Sequence, residues 1–194
     1  MSGRFEEPVR RTIETNLRQE QRKIYRGAAA AFIFCAAIFG AAYLFLPGFI
    51  RLPGEDFQSL LTCWAGASLF IVIWIMIGVG MVSSGRRRSP EDIRGSAYSA
   101  PSPRIAVQVA FLQNTLEQSI IAMFTQLALI LLLGSIAIPL LAASVLLFAV
   151  GRVTFLKGYP KGAGARSFGM AVTAIPSLTA FVIAVGAVIS RIWH

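Results

Sequence analysis

The sequence predicts an all-α integral membrane protein that crosses the bilayer about five times. Of its 194 residues, 56% are hydrophobic and only 14% are charged, whereas roughly a quarter of the residues in an average soluble domain are charged. The mean hydropathy is +0.67. So few charges cannot cover the surface of a water-soluble protein of this length, and those present lie between long apolar segments.

Five apolar segments hold one acidic residue, Glu117, and no basic residue. A helix needs about 20 mostly apolar residues to cross a hydrocarbon layer ~30 Å thick, and four of the five segments reach that length. The fourth is long enough only if it continues past Gly151, which brings Arg152 to the membrane edge. The predicted spans are 28–50, 60–81, 105–133, 136–150 and 169–190.

The first 27 residues predict a basic amphipathic segment ahead of the first span. They contain seven Lys or Arg and four Glu, and their apolar residues recur at helical spacing: Val9, Ile13, Leu17 and Ile24. This pattern favours a helix lying on the membrane surface; the alternative is a solvated tail that only sets orientation. Residues 28–50 are too long for a secretory signal and lack a cleavage region, so they predict a retained transmembrane helix.

Proline and glycine mark the ends of the predicted spans, because proline lacks a backbone donor and glycine readily leaves helical geometry. A short connection around Pro53 separates the first two spans, and the longest loop runs from 83 to 103. Gly134 and Ser135 predict a tight turn between the third and fourth spans. A polar loop at 157–166 precedes the fifth.

The basic residues predict the orientation of the chain. Segments 1–27, 86–104 and 152–166 carry seven, five and four Lys or Arg, and only Arg51 and Arg191 lie elsewhere. Because such residues concentrate on the cytoplasmic side, the N-terminus and both basic loops are predicted to be cytoplasmic, and we expect a bacterial inner membrane. Basic residues that flank spans, rather than forming one basic domain, argue against nucleic-acid binding as the reason for the net charge of +9.

The sequence offers little to bind a metal. Cys35 and Cys63 lie inside different apolar segments, where a cysteine behaves as a small hydrophobic residue, and His194 is the single histidine. The chain carries neither a phosphate-binding loop nor an HExxH motif. We therefore expect no disulfide and no metal site.

A polar wedge interrupts the third span. Glu117 is the only acid inside any span, and Asn114 lies three residues before it, on the same helical face. The wedge is extended by Gln108, Thr115 and Gln118. Since such side chains are costly in lipid, the wedge either holds helices together, with Glu117 paired to Arg152, or converges with the basic loops on a small anionic ligand.

Two segments resemble the MAPEG family, membrane-associated proteins of eicosanoid and glutathione metabolism. They are Asn-Thr-Leu-Glu at 114–117 and Gly-Arg-Val-Thr-Phe-Leu-Lys-Gly-Tyr-Pro at 151–160. Members of that family are four-helix subunits that form trimers, and many bind glutathione between subunits near the cytoplasmic face. The resemblance implies a MAPEG-like four-helix domain over 58–194, with 28–50 as an additional N-terminal transmembrane helix.

The resemblance also implies a set of site residues. Arg166 stands where a family member carries the arginine that activates the glutathione thiol. The residues expected to bind glutathione are Asn114, Glu117, Arg152, Tyr159 and Arg104. Ala110 and Leu112 replace an arginine and a glutamine of the glutathione-using members, and Arg104, about two turns earlier, is the candidate for the missing charge.

These residues imply a glutathione-dependent transferase or peroxidase that acts, as a homotrimer, on a lipophilic electrophile entering from the bilayer. Glutathione would be a co-substrate, and its thiolate would be stabilised by Arg166. The alternative is a non-catalytic scaffold or lipid-binding subunit of the same fold. A small transporter component is disfavoured, because the sequence has no inverted repeat with matching broken helices.

Overall fold

The computed structural model describes the backbone of residues 3–50 and 52–193 and the side chains of residues 16–50 and 52–193. Every long element in these ranges is a helix. The helices are α1 (Gly3–Phe49), α2 (Phe57–Arg87), α3 (Ala106–Leu133), α4 (Ile138–Gly158) and α5 (Ala163–Ile192). Met1, Arg51 and His194, and the side chains of Val9 and Ile13, lie outside the described residues, so the predicted sides of the N-terminus and of Arg51 are not described.

Four continuous helical stretches of the described chain are long and apolar enough to cross a membrane. They are Asn16–Phe49, Phe57–Arg87, Ala106–Lys161 and Ala163–Ile192. The all-helical class is confirmed, and the chain is an integral membrane protein. The predicted count of five separate spans is not confirmed, because the third stretch runs through 56 residues and contains both α3 and α4.

The third stretch folds back on itself at a short 3-10 turn, Gly134–Ala137. Gly134 has a φ of 66°, in the left-handed region that glycine adopts without steric cost. Glu55 holds the turn by accepting hydrogen bonds from the hydroxyl and the backbone N–H of Ser135. Arg152 on α4 then reaches Asn114 on α3, 38 positions away. The two helices are therefore antiparallel, and the tight turn predicted at Gly134 and Ser135 is confirmed.

The ends of α2 follow ordinary helix-capping chemistry. The Asp56 carboxylate accepts a 2.9 Å hydrogen bond from the backbone N–H of Ser59, which satisfies a donor of the first turn. Arg86 and Arg87 occupy the last turn, where the partial negative charge of the helix end favours cations. The second predicted span therefore extends beyond its apolar residues at both ends.

The α4 helix lies at the centre of the fold. Eleven of its 21 residues are buried, and it packs against each of the other four long helices. On one side α1 joins α4 and α5 through a cluster of Ala31, Cys35, Leu147 and Val172. On the other side α2, α3 and α4 share a cluster that includes Leu60, Ile130 and Leu141.

The predicted boundary between residues 27 and 28 is not a helix break, because α1 continues through it. A described side chain before the boundary also contacts α5. Glu20 Oε2 accepts a 3.0 Å hydrogen bond from the backbone N–H of Gly164, at the start of α5. This end of α1 thus packs on the same helix as the apolar part of α1.

Candidate functional site

A cavity of about 360 Å³ opens where α1, α3, α4 and α5 meet. This volume falls within the ~300–1,000 Å³ range of small-molecule sites. The cavity is lined by Ile24, Ala110, Asn114, Phe155, Tyr159, Ala163, Arg166, Ser167 and Met170. Three predicted site residues, Asn114, Tyr159 and Arg166, therefore share one cavity, although Asn114 lies 45 residues before Tyr159 in the sequence.

Tyr159 and Arg166 meet because the chain turns tightly between α4 and α5. A short 3-10 turn, Tyr159–Lys161, is followed by Gly162, whose φ of 99° favours glycine. The guanidinium carbon of Arg166 lies 4.3 Å from the centre of the Tyr159 ring, a distance suited to a cation–π contact. The ring of Phe155 packs edge-on against Tyr159, with 5.4 Å between the ring centres. This stack places Arg166 at the cavity wall.

Arg152 lies behind the cavity and is completely buried. Its Nη1 donates a 2.8 Å hydrogen bond to Asn114 Oδ1, and its Nε and Nη2 donate to Thr173 Oγ1 at 3.2 and 2.8 Å. The rings of Phe148 and Phe155 lie 5.6 and 4.9 Å from the guanidinium carbon. Neutral oxygens and aromatic faces thus surround this cation, as polar partners must when a charge is buried.

Thr173 is a site residue that the sequence analysis missed. Its hydroxyl donates to the carbonyl of Gly169 at 2.9 Å, so the oxygen lone pairs remain for Arg152. A Cβ atom on Gly151 would overlap Thr173 Oγ1, and one on Gly169 would overlap the backbone of α4. The two glycines therefore let α4 and α5 approach closely. In the sequence, Gly169 and Thr173 are small residues four positions apart, a spacing typical of close helix packing. This spacing is the signal that could have pointed to Thr173.

The Arg152 bond also fixes the orientation of the Asn114 amide. A guanidinium has only donors, so it must face Oδ1, which leaves the Asn114 N–H₂ group for the cavity. The guanidinium of Arg166 and the hydroxyl of Tyr159 are further donors on the wall, whereas the Ser167 hydroxyl donates to the Gly164 carbonyl. Among the described side chains no carboxylate lines the cavity. Such a donor-rich, largely apolar cavity suits an anionic or strongly accepting ligand.

The predicted pair of Glu117 and Arg152 is wrong for this chain. Glu117 is exposed and accepts a 2.8 Å hydrogen bond from Gln113 Nε2. The buried face of α3 carries Phe111, Thr115 and Ser119. With 3.6 residues per turn, Glu117 is rotated about 200° from Thr115 and points away from α4. Asn114 takes its place as the partner of Arg152.

Arg104 also lies away from the cavity. It is exposed in the connection that precedes α3 and does not line the cavity, whereas Ala110 does. The structure thus groups Asn114, Tyr159 and Arg166, supports them with Arg152, and leaves Arg104 outside. Ile24 is a further lining residue that no motif indicated, because its position depends on how α1 packs.

Comparison with known proteins identifies a family for this chain. The model of the MAPEG family matches residues 61–186. The match covers most of α2, all of α3 and α4, and most of α5, and it leaves out α1. No curated protein and no solved structure gives a significant match to the chain.

Proposed function

Since the chain belongs to the MAPEG family, we propose that it is a membrane-embedded glutathione-dependent transferase or peroxidase acting on a lipophilic electrophile. The observation that carries this proposal is the meeting of Asn114, Tyr159 and Arg166 in one cavity. Family membership favours glutathione as the co-substrate. The apolar part of the cavity wall suits an electrophile that reaches the site from the bilayer.

In the proposed chemistry, Arg166 stabilises the glutathione thiolate. A cysteine thiol has a pKa of about 8.5, so it is mostly protonated at neutral pH, although the thiolate is the nucleophile. The guanidinium stays charged at every working pH and can donate hydrogen bonds to the sulfur. In the transferase reaction, the thiolate attacks the electrophilic carbon, a carbon–sulfur bond forms, and the leaving group departs with the bonding electron pair.

The other residues would bind and orient glutathione. The free amide N–H₂ of Asn114 and the hydroxyl of Tyr159 are suited to its carboxylates and peptide carbonyls. Arg152 would act through Asn114, because it is completely buried and each of its three side-chain nitrogens bonds to Asn114 or Thr173. It is therefore a positioning residue in this proposal rather than a direct ligand.

We propose a homotrimer, as the family resemblance implies, in which Glu117 and Arg104 act from subunit boundaries. Support comes from the exposure of Glu117 on α3, a helix apolar enough to span a membrane. A carboxylate at such depth is costly against lipid. A second copy of the chain that covers this face would remove that cost and bring Glu117 near a ligand.

We also propose five spans, with the N-terminus and the basic segments at 86–104 and 152–166 on the cytoplasmic side of a bacterial inner membrane. The α3 and α4 helices have 28 and 21 residues. At 1.5 Å per residue they are about 42 and 32 Å long, enough for each to cross the hydrocarbon layer alone. The α1 helix would then be the additional span.

Glutathione titration of the detergent-purified protein tests the proposal. We expect saturable binding at millimolar or lower concentrations, weakened several-fold by Tyr159→Phe, because the hydroxyl contributes a hydrogen bond. Tyr98→Phe is the matched control, since Tyr98 is 78% exposed and lies outside the cavity. Wild-type protein that binds no glutathione would contradict the proposal.

The second candidate is a non-catalytic membrane scaffold or lipid-binding subunit. Ala110 favours it, because this methyl group lines the cavity where glutathione-using relatives carry an arginine. A cavity with fewer cations binds a glutathione carboxylate less strongly. The same titration separates the two functions, because the scaffold predicts no saturable glutathione binding.

A further inference from the structure

The α1 helix supplies one wall of the cavity through Ile24, whose side chain is 36% exposed. This wall is absent from the part of the chain that the family model matches, which begins at residue 61. The other walls of the cavity come from α3, α4 and α5, and they include Asn114 and Arg166. An apolar side chain from outside the matched domain therefore borders the proposed reactive centre.

Contacts on both sides of Ile24 hold this wall in place. Before it, Glu20 bonds to the backbone of Gly164, and a Cβ on Gly164 would come within 2.5 Å of the Lys23 Cβ. After it, Gly27 packs so closely on Ser167 that a Cβ there would overlap the hydroxyl. About two turns of α1, from Glu20 to Gly27, are thus fixed against the first turns of α5, and the wall cannot retreat without breaking these contacts.

The cavity that Ile24 borders is small. A cavity of about 360 Å³ lies near the lower end of the ~300–1,000 Å³ range of ligand sites. It must hold part of glutathione together with the reacting group of the electrophile. Isoleucine is branched at Cβ and has restricted χ1 freedom, so it is a stiff boundary rather than an adaptable one.

We propose that Ile24 limits the length of the apolar group that the site accepts, so that the substrate is a compact aryl or short-alkyl electrophile rather than a long-chain lipid. This inference rests on the proposed glutathione-dependent function. Ile24 is a specificity-determining residue, and it takes no part in the chemical step. A longer chain would have to displace a side chain whose backbone is anchored through Glu20 and Gly27.

Equilibrium binding of S-methyl-, S-hexyl- and S-decylglutathione tests the inference, because these thioethers resemble reaction products of increasing length. Wild-type protein should bind the decyl compound more weakly than the hexyl compound. Ile24→Ala should raise the affinity for S-decylglutathione about 10-fold, the effect of one or two methylenes in an apolar pocket. Ile24→Trp should weaken binding of the hexyl compound and leave the methyl compound unchanged.

Ile33→Ala is the matched control, since Ile33 lies on the same helix, is 70% exposed, and does not line the cavity. It should keep the wild-type dependence on chain length. If Ile24→Ala shows that same dependence while every thioether binds, the inference about Ile24 is overturned and the glutathione site stands. If no thioether and no glutathione binds any variant, the proposed function and this substrate class are both overturned.

Discussion

Arg152 and Asn114 are joined by a 2.8 Å hydrogen bond that connects α4 to α3 at the wall of the cavity. The guanidinium is fully buried, yet its partners are an amide oxygen, a threonine hydroxyl and two aromatic rings. A buried cation without such partners would be strongly destabilising. The bond therefore links the stability of the helix bundle to the orientation of a cavity side chain.

A double-mutant cycle should locate the true partner of Arg152. We expect a coupling free energy of about 0.5–3 kcal/mol between Arg152→Gln and Asn114→Ala, as for residues in direct contact. The corresponding cycle with Glu117→Ala should give a coupling near zero, because Glu117 bonds to Gln113 instead. Unfolding of the purified protein in detergent measures both cycles. Stronger coupling to Glu117 than to Asn114 would contradict the assignment.

Thr173→Val should destabilise the protein by about 1.5–3 kcal/mol, because valine keeps the shape but removes the acceptor of two hydrogen bonds from a charged group. The measurement is the free energy of unfolding in detergent. Thr154→Val is the control, since the Thr154 hydroxyl bonds only to carbonyls of its own helix. Equal losses in the two variants would mean that Thr173 does not support Arg152.

Arg166→Ala should leave the fold and much of the glutathione affinity intact but should lower the rate and raise the pKa of the bound thiol. The reason is that the guanidinium stabilises the thiolate and not the thiol. Thiolate absorbance followed against pH measures the pKa directly. Lys161→Ala, an exposed loop cation outside the cavity, is the control. An unchanged titration and an unchanged rate would leave Arg166 as a determinant of membrane orientation alone.

The number of spans predicts which connections share a side of the membrane. With five spans, reporter fusions at Pro53 and Ser96 should report opposite sides, because α2 alone separates them. A fusion at Lys161 should agree with the one at Ser96, since α3 and α4 both intervene. If Ser96 and Lys161 reported opposite sides, the antiparallel pair would not cross the membrane twice.

The loop between α2 and α3 should loosen in acid. Asp92 accepts hydrogen bonds from the backbone N–H and the hydroxyl of Ser102, at 2.8 and 2.6 Å, which lower the pKa of its carboxyl from its ordinary value. A carboxyl with a lowered pKa stabilises the fold above its unfolded pKa, and this stabilisation is lost as the pH falls through the folded pKa.

Proteolysis or hydrogen exchange of residues 89–105 between neutral pH and pH about 3 would detect this loss. Asp92→Asn should remove most of the pH dependence of the loop, since asparagine does not titrate. Glu91→Gln, at the exposed neighbouring position, should keep it. A loop equally protected at all pH values would show that the Asp92 contacts do not hold it.

Apolar length made the helices predictable from the sequence. The third predicted span, 105–133, nearly coincides with α3 (Ala106–Leu133). The helix ends there because Gly134, which has no side chain, adopts a positive φ. The fourth, 136–150, was expected to reach spanning length only if it continued past Gly151, and α4 does continue to Gly158. Arg152 is buried inside that extension because Asn114 and Thr173 accept its hydrogen bonds. A hydropathy profile cannot predict such partners.

The site was predictable only in part. The motif resemblance indicated Asn114, Tyr159 and Arg166, which line one cavity. All three lie inside the residues that the family model matches. Pairing Glu117 with Arg152 by opposite charge failed, since helix phase places Glu117 on the outer face. Ile24 was inaccessible to sequence reasoning, because an apolar residue in an amphipathic pattern does not reveal which helix it will contact.

The packing of α1 bears on how the protein is made. This helix leaves the ribosome before the other four described helices, but it packs on α4 and α5, which are synthesised after α2 and α3, and makes no comparable contact with α2 among the described residues. Helices of membrane proteins associate after they have inserted. The α1 face with Ala31 and Cys35 must therefore stay against lipid or another protein until α5 arrives. During biosynthesis the cavity is therefore completed only when α5 meets α1.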